Sequence, residues 1–145
     1  MTDTELMQLA RDELEQYKDL KKDIDHSVER LEELRTKLNR LSKPLDPNYI
    51  QVQHSNNNGT EALFDSVFEV ERIIDGDVME AEKVCMDLDK RISKITPKLY
   101  ARILRQYFLF GKRVEDIAYS ENYSRRMLYY YLDEALLEYG KQYCI

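Results

Sequence analysis

Arg125-Arg126, followed one helical turn later by Tyr129-Tyr130, are the residues whose types and spacing best suit a chemistry. That chemistry is nucleic-acid contact. A guanidinium can grip a guanine edge through two parallel hydrogen bonds or hold a phosphate, and apolar ring surface can meet base edges in the major groove. Ser124, directly before the pair, is a helix-capping residue type, and a helix N-terminus itself favours a phosphate. Lys112 and Arg113 lie just ahead of the preceding helical segment, placed to touch the DNA backbone. Each feature also has a plainer reading. Two arginines near a helix start are commonly a solvated surface, and Tyr129 and Tyr130 suit an aromatic protein-binding patch equally well.

Catalytic chemistry finds little to use. His26 and His54 are the only histidines. Asp23-x-x-His26 places a carboxylate and an imidazole on one helix face, but a bundle metal site needs further ligands from facing helices, for which Glu71 and Glu80 are weak candidates. Cys85 and Cys144 have no metal-ligand spacing, which fits a reduced chain without a disulfide. There is no glycine-rich phosphate loop and no nucleophile motif. The expectation is a non-enzyme with no metal and no cofactor.

The elements that must position the arginines are helices. Thr96-Pro97 reads as a helix start, with threonine as N-cap and proline in the first turn. Leu99, Ile103, Leu104, Tyr107 and Phe108 then face inward, Lys98, Arg102 and Arg105 share another side, and Gly111 ends the helix. A short helix over 114–120 presents Val114, Ile117 and Ala118. Glu121-Asn122-Tyr123 is a turn, with asparagine tolerating the left-handed conformation. Ser124 caps a last helix from Arg125 to about Tyr139, with Leu128, Tyr131, Leu132, Ala135, Leu136 and Tyr139 available for a core. Short helix, tight turn and serine-capped longer helix are the layout of a helix-turn-helix, whose second helix enters the major groove by its N-terminal end.

The rest of the chain is of another kind. Its 145 residues are 34% charged and 43% apolar, with 4 Gly, 3 Pro and no Trp, which excludes collagen-like, linker-like and disulfide-scaffold classes. Residues 1–95 hold 14 Lys/Arg against 22 Asp/Glu, and residues 96–145 hold 8 against 6, so the net charge of −6 divides into −8 and +2. From about Thr4 to Leu41 apolar residues recur at helical spacing, among them Ile24, Val28, Leu31 and Leu38, with Thr2 or Thr4 as cap. A second stretch, over 62–95, carries Phe64, Val67, Ile74, Val78, Ala81, Cys85, Leu88, Ile92 and Ile95 on a heptad seam that only Glu71 breaks. Gly76 makes a soft spot within it. Two prolines, an asparagine run and Gly59 mark a mobile loop over 43–61.

The expected fold is therefore all-α: a long antiparallel coiled-coil hairpin over 1–95, then a three-helix helix-turn-helix domain over 96–145. A two-helix unit this long needs a further partner surface. Self-association, as a homodimer or higher oligomer, is expected through Phe64, Val67, Ile74, Val78, Cys85, Leu88 and Ile92 on one helix and Ile24, Val28, Leu31 and Leu38 on the other. No membrane span is long enough, and an acidic N-terminus is not a secretory signal, so a cytoplasmic location in a bacterial host cell is expected.

Gly111-Lys112-Arg113-Val114-Glu115-Asp116-Ile117-Ala118, then Asn122-Tyr123-Ser124 and Glu134-Ala135-Leu136, resemble region 4 of sigma-70-type factors over residues 97–141. The whole chain looks like small phage and prophage proteins of Gram-positive bacteria that join a coiled coil to such a domain, the ArpU and RinA types among them. Pro44-Leu45 and Gln51-Val52-Gln53 share that look. The resemblance implies a transcription regulator of phage late genes that binds double-stranded DNA or docks on host RNA polymerase. The alternatives are a DNA-packaging factor of the small-terminase kind, or a polymerase- or sigma-binding adaptor without DNA readout. One residue departs from the motif. The position after Ser120 is usually apolar, yet this chain has Glu121, so either the turn shifts by one residue or Glu121 is exposed and Tyr119 or Tyr123 fills the space.

Overall fold

The computed structural model describes residues 2–42 and 53–145, and among them the protein is all-α. Helices α1 (Asp3–Ser42) and α2 (Gln53–Ser93) precede three shorter ones, α3 (Lys98–Leu104), α4 (Val114–Glu121) and α5 (Arg125–Tyr143). Thr2 caps α1 as half of a capping box. Its hydroxyl accepts from the Glu5 N–H at 3.2 Å, and the Glu5 carboxylate accepts from the Thr2 N–H at 3.2 Å. Helix α2 begins at Gln53, not near residue 62, so positions 53–61 of the expected loop are helical, and 43–52 lie outside the described residues. Once a helix is nucleated, each added residue gains a backbone hydrogen bond, which outweighs the weak propensity of asparagine. Pro44-Leu45 and Gln51-Val52 lie outside the described residues. Gly76 continues the helix without a break.

The compact units do not divide at residue 95. One consists of Met1–Lys21 with Ala81–Ile145, the other of Lys22–Glu80. In the first, α1 and α2 run antiparallel, with Glu13 paired to Arg91 and Tyr17 beside Cys85. Their apolar stripes supply Ala10, Leu14, Leu88, Ile92 and Ile95 to the same core as Ile103, Leu104 and Phe108 of the α3 segment and Leu128, Leu132 and Leu136 of α5. The crossing of α1 and α5 is close because Gly140 has no side chain: a Cβ there would sit 2.6 Å from the Leu6 carbonyl oxygen. Buried Tyr139 has a hydroxyl with no hydrogen-bond partner among the described residues, and burial pushes its pKa up to about 12, with the nearby Arg91 charge opposing the shift.

Helix α3 starts one residue later than expected. Pro97, extended at φ −69° and ψ 166°, occupies the N-cap position, and Thr96 provides no side-chain cap. The helix continues as a π-helical turn over Arg105–Leu109 and reverses at Gly111, whose φ of 66° suits glycine.

In the second unit Leu31, Val67 and Val70 are buried, with Leu34, Leu38 and Ile74 packed around them, and Arg35 bonds Glu71 across the helices at 2.7 Å. Glu71, the break in the heptad ladder, is thus an ion-pair partner, and Val70 takes the seam. This placement changes the picture of self-association. Leu31, Val67, Leu88 and Ile92 are buried inside the single chain, and Ile24, Leu38, Ile74, Val78 and Cys85 are half-buried. Of the expected contact residues only Val28 and Phe64 are exposed.

Candidate nucleic-acid interface

The turn between α4 and α5 forms as its residue types require. Asn122 takes the left-handed conformation at φ 62° and ψ 37°, and the Tyr123 N–H returns to the Ala118 carbonyl at 2.9 Å. Ser124 then caps α5, its hydroxyl accepting from the Met127 N–H at 3.2 Å. Arg125 is thereby the first residue of α5, and no shift of the turn is needed. On the inner side Ile117 and Ala118 of α4 share the core with Leu128 and Leu132 of α5.

Glu121 is neither exposed nor replaced by a tyrosine. Its carboxylate is part-buried and accepts from Arg102 at 3.2 and 3.0 Å and from the Gln106 amide at 3.1 Å. Ser120 closes the network with a 3.4 Å bond to Gln106. The Arg102 hydrogen bond, with help from Gln106 and against the cost of burial, holds the Glu121 carboxyl below its usual pKa. A charged clasp from α3 therefore stands where an apolar plug was expected. Tyr119 points away, 88% exposed. Tyr123 leans on Tyr131, ring centroids 5.0 Å apart and edge-on.

Opposite the core, α5 shows what remains for a ligand. Arg125 is engaged by Glu115 of α4 at 3.3 Å and lies over the Tyr129 ring at 5.7 Å. Arg113, the N-cap residue of α4, pairs with Asp116 at 3.2 Å. Arg126 and Lys112 are exposed and, among the described residues, in no ion pair. Ser124 is occupied as a cap. Tyr130 is exposed on the outer face, Tyr129 is exposed at its edge, and Met127, which the residue pattern did not single out, is exposed beside Tyr130. Its position three residues beyond the cap and one before buried Leu128 was the available signal. No protein-family model, curated protein or solved structure matches the chain. The ion pairs on Arg113 and Arg125 are solvent-exposed and individually weak. No helix among the described residues is long and apolar enough to cross a membrane.

Proposed function

We propose that the protein is a non-catalytic regulator of transcription, of the phage or prophage kind, that binds double-stranded DNA through α4, the turn at Asn122 and α5. One observation carries the reading: a Ser124-capped helix presents Arg126, in no ion pair among the described residues, and Tyr130 opposite its core face, with exposed Tyr129 at the edge of that surface. Arg125 and Arg113 exchange their carboxylate partners for phosphates, and Lys112 adds a backbone contact. A bacterial cytoplasm is the matching location. The alternative partner is host RNA polymerase, favoured by the nearly complete exposure of Tyr119 on α4. Self-association falls to the open faces around Val28 and Phe64, and a monomeric mass by light scattering would remove it while leaving DNA contact standing.

The unit that contains α5 holds 15 Lys/Arg and 15 Asp/Glu, so long-range attraction to DNA is weak and local contacts must supply the affinity. Fluorescence anisotropy with a labelled random-sequence duplex at low salt tests the reading. Arg125→Ala combined with Arg126→Ala is expected to weaken binding at least about tenfold and to flatten the salt dependence, which scales with phosphates neutralised. Unchanged binding would refute it.

A further inference from the structure

The groove-facing face of α5 has an unusual chemical makeup for a base reader. Over Arg125–Asp133 there is no Asn or Gln, the side chains that pair twice with adenine. Arg125 is held by Glu115 and Tyr129, which leaves Arg126 as the single unpaired guanidinium. Leu128 and Leu132 are buried. What projects outward between charged Arg126 and Asp133 is apolar and aromatic: Met127 at 41% exposure and Tyr130 at 56%. At about 100° per residue Tyr130 lies about 200° round the helix from Leu128, opposite the core.

Tyr130 also has a ring neighbour. Its ring meets Tyr131 edge-on with centroids 5.7 Å apart, and Tyr131 is backed by Tyr123 at 5.0 Å and by Tyr100 at 6.2 Å. A tyrosine ring, with only two rotatable side-chain bonds, loses little rotamer freedom on contact. In the major groove the one apolar feature that distinguishes base pairs is the C5-methyl group of thymine, which cytosine lacks. We propose that Tyr130 and Met127 form an apolar reader of thymine methyl groups, so that the protein selects T·A over C·G pairs at the positions beneath them. Arg126 adds one guanine or phosphate contact. This inference rests on the DNA-binding reading and names what that surface recognises.

The full chain is first used to select duplexes from a random library. In the preferred duplex each thymine is then replaced singly by deoxyuridine, which removes the methyl group and leaves pairing intact. Binding is expected to fall about fourfold at one or two positions, the effect of losing one buried methyl-sized group. At those positions cytosine should bind more weakly still, and 5-methylcytosine should recover part of the loss. Tyr130→Ala and Met127→Ala should bind the thymine duplex more weakly and no longer distinguish it from the uracil duplex, whereas Tyr130→Phe should keep the distinction. A duplex that tolerates uracil everywhere would overturn the inference and leave DNA binding intact. So would a Tyr130→Ala variant, folded by circular dichroism, with the wild-type thymine-to-uracil ratio. Selection that enriches no duplex would overturn this inference alone if the chain still binds the random library at low salt, and the DNA-binding reading with it if the chain binds no duplex at all.

Discussion

The same heptad stripe behaves differently in the two compact units. At Leu88, Ile92 and Ile95, in the unit that contains the three short helices, it is buried almost completely. At Phe64, Ile74 and Val78, in the unit of Lys22–Glu80, it is half-buried or exposed, although Val67 between them is buried. The first unit has one cluster of eighteen buried residues, and the second shows three among those described. Two helices alone can cover only one stripe on each other, whereas α3, α4 and α5 enclose the stripe from a further side. Charge divides in the same way. Lys22–Glu80 holds 7 Lys/Arg against 13 Asp/Glu, the whole net −6 of the chain, while the other unit is neutral. Periodicity therefore sets which face turns inward, and the neighbouring elements set how much is buried.

The largest expected effect separates two leucines of α1. Leu14 is fully buried in the first unit and Leu31 slightly exposed in the second. Leu14→Ala should cost about 4 kcal/mol and Leu31→Ala about 2 kcal/mol or less, because the looser site leaves a smaller cavity. Because the units can open separately, hydrogen exchange read residue by residue is the suitable measurement. Equal losses would break the comparison.

One substitution should have opposite signs in the two units. Gly140→Ala places a methyl group 2.6 Å from the Leu6 carbonyl oxygen, a backbone atom that cannot step aside. It should destabilise by about 1–3 kcal/mol and reduce amide protection in the first turns of α1. Gly76→Ala meets nothing within 4 Å and should stabilise its helix by up to about 1 kcal/mol. Thermal melts of the two variants, compared with the wild type, check both signs.

The smallest contrast concerns ion pairs. Glu121→Ala removes a part-buried carboxylate with partners on α3 and should cost about 1 kcal/mol, whereas Arg35→Ala breaks an exposed pair and should cost under about 0.5 kcal/mol. The Glu121 contribution also depends on pH. Its folded carboxyl pKa is lowered, so the stabilisation is fully present above the ordinary carboxylate range and is lost as pH falls through the lowered folded value. Denaturant midpoints for wild type and Glu121→Ala should therefore converge in acid.

Much of this was legible in the residues. The long helices, the buried faces of α3, α4 and α5, the left-handed Asn122 and the Ser124 cap all follow from local spacing and capping chemistry. What was not legible depends on distant partners. Glu121 looks misplaced until Arg102, far back on α3, supplies its charge partner. Arg125 looks free until Glu115 is found beside it. The boundary at residue 95 follows a change in composition, whereas the compact unit is defined by Ala10 and Leu14 meeting Ile92 and the short helices, a contact between the two ends of the chain. The start of α2 fell short because an asparagine run marks a weak helix as readily as a loop.

If DNA meets the outer face of α5, as proposed, acidic Lys22–Glu80 stays untouched. Amide chemical-shift mapping of the full chain with its preferred duplex tests it most directly. The expected result is perturbation concentrated at Lys112, Arg113 and from Ser124 to Tyr130, with residues 60–80 unmoved. Perturbations centred on residues 60–80, or none over 112–130 at saturating duplex, would contradict it.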